Sequence, residues 1–141
     1  MKRTANGFSF IEVLLVVVLI GILSAIAIPG LLGQKKNADL VGDAQQNSKS
    51  LQMMMETRKA DNGIYGPANG VYTWTPQPDG TLLASDATIA PLFGAKGSSN
   101  MTYTLTIGAS GLTYDLTIND NRPGHAGKIF ETDQTGKQIY P

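Results

Sequence analysis

From Val13 to Gly33 the chain runs through 21 residues without a charged side chain, most of them Leu, Ile and Val. At 1.5 Å per residue a helix of that length spans roughly 30 Å, the thickness of the hydrocarbon core of a bilayer. A strand does not fit, because the run is several times a strand's usual length and does not alternate. Gly21 and Ser24 weaken a helix in water but suit close contacts between helices in lipid. Pro29 has no backbone donor and its ring meets the preceding turn, which predicts a kink or local melting near Ile28–Gly30. From Gln34 to about Ala60 the sequence turns polar but stays helix-friendly. Val41, Ala44, Ser48, Leu51 and Met55 recur at spacings of three and four and so share one face, while Lys49, Gln52, Glu56 and Lys59 take the other. Met53-Met54-Met55 reads as packing, since Met fills irregular gaps. Asp61-Asn62-Gly63 ends the helix, with glycine suited to the left-handed position after it.

Downstream the period changes. Residues 64–97 are rich in Gly, Pro, Asn and Asp, with a strand expected over Val71–Thr75, a turn at Pro76-Gln77-Pro78-Asp79-Gly80 and a short helix over Thr88–Phe93. Gly63, Gly66 and Gly70 are too widely spaced for a phosphate-binding loop. Met101–Ile107 alternates large apolar residues with threonine, Leu112–Ile118 repeats the pattern, and Gly108-Ala109-Ser110-Gly111 closes a hairpin between them. Met101, Tyr103, Leu105 and Ile107 then join Leu112, Tyr114, Leu116 and Ile118 on a face buried against the stem helix. A further pairing is expected between Lys128–Thr132 and Lys137–Tyr140, turning at Asp133-Gln134-Thr135-Gly136. The fold class is α+β: one long helix against a small antiparallel sheet.

Composition narrows the chemistry. The chain has 141 residues, 11 basic and 11 acidic side chains, no cysteine and one histidine. A formally neutral chain lacks the basic face that nucleic-acid binding needs. Without cysteine there is no disulfide framework, thiol nucleophile or Cys-ligated zinc. Asp115, Asn119 and Asp120 are candidate calcium ligands in an oxygen-rich stretch, although solvated turn-forming acids are the simpler reading. His125 reads as an exposed loop residue. No Ser-His-Asp or metal-ligand constellation can be assembled, and the chain is read as a non-enzyme with no cofactor.

In front of the apolar run sits the short basic segment Met1–Gly7, which favours a cytoplasmic N-terminus. A secretory signal peptide cleaved near Ala25-Ile26-Ala27 would share this outline, but the apolar stretch is long and Glu12 stands at its start. An acid at membrane depth costs about 2–3 kcal/mol, less near the interface, and calls for a partner. Gly7-Phe8-Ser9-Phe10-Ile11-Glu12, the apolar run after it and Pro29 together resemble the N-terminal segment of type IV pilins and the related pseudopilins. The resemblance covers Lys2–Leu32 and departs at Phe10, where the family usually has threonine.

That resemblance implies cleavage by a prepilin peptidase between Gly7 and Phe8, N-methylation of Phe8, and assembly roles for Glu12 and Pro29. It divides the chain into a removed leader (1–7), a transmembrane and filament-core helix half (8–33) and a globular pilin head (34–141). It further implies a homo-oligomeric helical filament built by an assembly ATPase and inner-membrane platform. Before assembly the subunit would sit in the inner membrane, surrounded by lipid, with its C-terminal domain outside the cytoplasm. The leading reading is a type IV pilus subunit serving adhesion, motility or DNA uptake at the cell surface. The alternative is the pseudopilin of a type II secretion system, working in the periplasm. Asp61–Pro67 is similar to the major pseudopilin pattern, but that family's Asp-Pro-Trp-Gly segment and acidic calcium loop are not evident. A third reading, an anchored or secreted ligand-binding β domain, predicts a monomer with no need for Gly7 or Glu12.

Overall fold

The computed structural model describes residues 7–95, 97, 100–125 and 127–139. Helix α1 runs without interruption over Phe10–Asn62, 53 residues. Local melting at Pro29 does not occur. The uncharged run on either side keeps the helical hydrogen bonds, and one missing donor is tolerated inside a long apolar helix. Gly63, at φ +78°, takes the left-handed conformation after the last turn, and its N–H reaches the carbonyl of Lys59 at 2.7 Å.

Contacts divide the chain into two units, one ending at Ala38 and one starting at Asp39. In the first, no described side chain from Gly7 onward is buried. Its part of the helix is long and apolar enough to cross a membrane. Ser24 Oγ donates back to the carbonyl of Ile20 at 2.7 Å, so its hydroxyl is satisfied without water.

The second unit holds an antiparallel sheet of β1 (Val71–Pro76), β2 (Leu82–Ala84), β3 (Met101–Ile107), β4 (Tyr114–Asp120), β5 (Gly127–Asp133) and β6 (Gln138–Ile139). Their order is β2-β1-β3-β4-β5-β6. One face carries Met101, Tyr103, Leu105, Ile107, Tyr114, Leu116, Ile118 and Phe130 into a core with Leu40, Ala44, Leu51 and Met55 of α1. The threonines of β3 lie on the other face, as the alternation requires. On α1 the buried stripe is shifted slightly from the expected one: Leu40 and Asn47 are buried and Val41 is half-buried. Asn47 Nδ2 donates to the Tyr103 hydroxyl at 2.7 Å, which satisfies a polar group that hydropathy alone places outside. Gln52, expected on the outer face, is half-buried and donates to Thr132 Oγ1 at 2.9 Å and to the Asp133 carbonyl at 3.1 Å.

Three strand and helix expectations change. The second strand of the central hairpin begins at Tyr114, two residues later than its pattern suggests, and Leu112 stays in the loop, exposed. Gly111 explains the longer loop. It stands at φ +71°, its carbonyl accepts from Tyr65 N–H at 2.8 Å, and a Cβ there would lie 2.7 Å from the Gly66 carbonyl oxygen. A shift of two residues keeps Tyr114, Leu116 and Ile118 on the expected face. The segment Thr88–Phe93 forms turns rather than a helix, because it is short and Pro91 interrupts it. Ile89, Ala90 and Phe93 are still buried, and the Phe93 ring meets Trp74 and Tyr103 edge-on at 5.8 and 5.4 Å between centroids. Strand β2 is new; it pairs with the end of β1 across the expected turn. The pairing of β5 with β6 is present at Glu131–Ile139 and Thr132–Gln138, while Tyr140 lies outside the described residues.

Three loops share one device. Asp79, Asp86 and Asp133 each accept, through Oδ1, the backbone N–H and the hydroxyl of the threonine two residues on. These bonds hold all three carboxyls below the ordinary carboxylate range, the threonine hydroxyl contributing most.

Candidate functional site

The segment around Gly7, Phe8 and Glu12 opens α1. Val13 and Glu12 donate their backbone N–H groups to the carbonyl of Ser9, at 3.2 and 3.0 Å, so the chain turns into the helix immediately after Ser9. Glu12 falls in the first turn, where a carboxylate meets the positive end of the helix dipole. Phe8, just ahead of the helix, lines one shallow notch with Glu12, Val13, Val16 and Val17, so aromatic ring and carboxylate face the same notch. Phe8 is 84% exposed, and Glu12 is exposed too. One carboxylate therefore stands on a surface otherwise made of hydrocarbon. Chemically, that arrangement selects a cation brought by something else, and the apolar surface selects lipid or another apolar helix. Pro29 lies inside α1, and residues 1–6 of the leader lie outside the described residues.

The candidate calcium ligands are not brought together. Asp115 and Asp120 stand at opposite ends of β4, roughly 16 Å apart at a strand's rise, and Asp115 is exposed while Asp120 is buried. Among the described residues no group of three or more His, Cys, Asp or Glu side chains could hold a metal ion. Asp120 already has a cation. Arg122 donates to it from Nε at 3.1 and 2.9 Å and from Nη2 at 2.7 Å, and the Arg122 backbone N–H adds a bond at 2.8 Å. The guanidinium holds the Asp120 carboxyl below the ordinary range, and Asp120 in turn raises the pKa of Arg122. Next to this pair Asn121 ties the loop to β3, its N–H donating to the Asn100 carbonyl at 2.8 Å and its Nδ2 to Thr102 Oγ1 at 2.6 Å. His125 is exposed in the same loop. Sequence reading passed over Arg122; an acid and an arginine two residues apart at a strand end was the available signal.

Arg122→Ala is expected to lower stability by about 2 kcal/mol at neutral pH, because it leaves a buried carboxylate with one backbone bond. Asp120 has a depressed folded pKa, so its contribution is complete above the unfolded value and is lost as pH falls through the folded one. The gap between wild type and variant in urea midpoint should therefore close in acid. A gap that persists below the folded pKa would show that the ion pair is not its source.

At the other end of the sheet Tyr65 donates to Glu56 Oε1 at 2.6 Å and lies beneath the Lys59 ammonium, 4.7 Å from its ring centre. Burial, then the Glu56 carboxylate, push the Tyr65 hydroxyl up to about 12. This cluster fastens the end of α1 to the sheet and presents no reactive group.

Comparison with known proteins bears on the N-terminal segment first. A family profile described as the prokaryotic N-terminal methylation motif matches residues 2–28, which include Gly7, Phe8 and Glu12. Curated relatives include type II secretion system core protein G of Aeromonas hydrophila, 36% identical over 64 residues, 45% of this chain and 44% of the relative. The protein of that name from Vibrio cholerae is 38% identical over 63 residues, 45% of this chain and 42% of the relative. That from Dickeya chrysanthemi is 32% identical over 65 residues, 46% and 42% respectively. The chain thus spans less than half the length of the relatives it matches. No solved structure matches it. The methylation motif at residues 2–28 leads into an apolar helix followed by a small antiparallel sheet, and over 45% of its length the chain is similar to type II secretion system core protein G.

Proposed function

We propose that this chain is a pseudopilin, a structural subunit of the filament of a type II secretion system. The observation that carries the choice is its similarity to several proteins of one kind, type II secretion system core protein G. It reverses the preference for a surface pilus subunit reached from sequence alone, where the missing Asp-Pro-Trp-Gly segment weighed against a pseudopilin. In this reading a prepilin peptidase cuts between Gly7 and Phe8 and Phe8 is N-methylated. Residues 8–33 anchor the subunit in the inner membrane and later line the filament core, and residues 34–141 form the periplasmic head. An assembly ATPase and its inner-membrane platform then move the subunit from lipid into the filament. The part is mechanical rather than catalytic, and Glu12 and Pro29 act in assembly.

Deleting the gene should stop export of the cell's secreted enzymes, which then accumulate in the periplasm, while surface pili remain. The discriminating measurement is exoenzyme activity in the medium against the periplasm, beside counts of surface fibres. Normal secretion with loss of the fibres would return the chain to the pilus reading.

A further inference from the structure

The unit that starts at Asp39 carries different chemistry at its two ends. The end of α1 lies where β3 passes into β4, since Tyr65 N–H donates to the Gly111 carbonyl. Here a groove of about 340 Å³ opens between α1 and the turns after β2. Met53 and Leu92, 73% and 86% exposed, stand at this groove, Ile89 is buried beside it, and Arg58 lines it. Arg58 Nη1 donates to the Thr88 carbonyl at 3.1 Å, but its buried Nε has no hydrogen-bond partner among the described residues. Asp61 also lines the groove. Asp86 feels the charge of Arg58, yet its Oδ1 is bonded to Thr88 N–H and hydroxyl, and the Arg58 Nε stays without a partner among the described residues. A buried donor without a partner is costly, and a guanidinium fork is completed best by a carboxylate. The groove therefore suits a segment that brings a large apolar side chain and an acid together.

The opposite end of the same unit presents such a segment. Strand β1 runs away from the groove end, because Val71 pairs with Thr106 and Trp74 with Tyr103. The β1–β2 turn consequently lies at the far end of the sheet. Asp79 is exposed in that turn; Thr81 bonds only its Oδ1 and keeps it ionised, and Leu83 on β2 is 66% exposed.

We infer that the β1–β2 hairpin of one copy docks in the groove of a second copy, Leu83 against Met53 and Leu92 and Asp79 on Arg58. The inference rests on the reading of the chain as a filament subunit. Two different patches at opposite ends make a heterologous contact, which repeats from copy to copy instead of closing into a symmetric pair.

The chain has no cysteine, so two substitutions give a clean crosslinking assay. With Leu83→Cys and Leu92→Cys in one full-length chain, oxidation of sheared filaments from overproducing cells should give a ladder of disulfide-linked multimers, and either substitution alone should give none. Arg58→Asp and Asp79→Arg should each lower filament yield by about tenfold or more at equal membrane levels, and combining them should restore most of it. Filaments in normal yield from both charge variants, with no ladder from the double-cysteine chain, overturn the docking and leave the filament reading in place. If the wild-type chain makes no filament when overproduced with its assembly platform, the filament reading fails and the docking fails with it.

Discussion

Glu12→Ala is expected to leave the chain cut after Gly7 and methylated on Phe8, with a normal level in the membrane, yet to keep it out of filaments. Glu12 is exposed in the first turn of α1, and the other side chains of the notch it lines, those of Phe8, Val13, Val16 and Val17, are apolar. In the proposed processing, cleavage before Phe8 would free an amine that the uncut chain lacks at that point, and methylation would keep it charged. In a bundle of these helices that amine is the natural cation for the carboxylate of a neighbouring copy. Out of water each charge requires the other, since removing one member of such a pair costs about 3–5 kcal/mol by stranding its partner. The isolated alanine variant loses nothing in lipid, where a carboxylate is a burden. Intact mass of the membrane fraction reports the methylated Phe8 terminus, and the sheared fraction reports assembly in cells without the wild-type gene. Normal filaments built from Glu12→Ala alone would sink the pairing mechanism.

Leu51→Asp is expected to unfold the head. Leu51 is fully buried on the face of α1 that meets the sheet, and among the described residues no Lys or Arg is buried in that core. A lone carboxylate there costs several kcal/mol, comparable with the whole stability of a small domain at about 5–15 kcal/mol. The chain from Gln34 onward retains both helix face and sheet and should be a soluble monomer with a cooperative melt. In that background Leu51→Ala should lose about 3 kcal/mol and still melt cooperatively. Met53→Asp, only two residues away but 73% exposed, should shift stability by less than about 0.5 kcal/mol. A melt near the wild-type temperature for Leu51→Asp would mean that the wrong face of α1 has been assigned to the core.

Much of this arrangement is written locally. The α1 stripe and the β3 alternation are periodic patterns of large apolar residues, and each period corresponds to one geometry. Gly7, Phe8 and Glu12 are readable for a related reason: the N-terminal methylation motif is a linear segment. What sequence reading missed depends on distant partners. Asn47 is buried because the Tyr103 hydroxyl, 56 residues away, receives its amide. Gln52 turns inward because Thr132 and the Asp133 carbonyl await it. Strand β2 has three residues, too few for a period, and exists through its pairing with β1. Leu112 matched the alternation and still fell outside β4, because Gly111 uses its place to close over Gly66. The proposed partner of Glu12 lies on another chain, so no single subunit displays it.

The three Asp-x-Thr turns have a consequence for resistance to proteases. A protease must draw an exposed loop into an extended conformation before it can cut, so the free energy of local opening sets the rate of nicking. In the loops at Asp79, Asp86 and Asp133 that opening breaks two bonds to a charged acceptor each time. Bonds to charged groups are worth more than neutral ones. Because these carboxyls ionise below the ordinary range, the protection persists into mildly acidic surroundings. A chain with no cysteine thereby armours three of its loops with carboxylates, a defence that reducing agents cannot strip away.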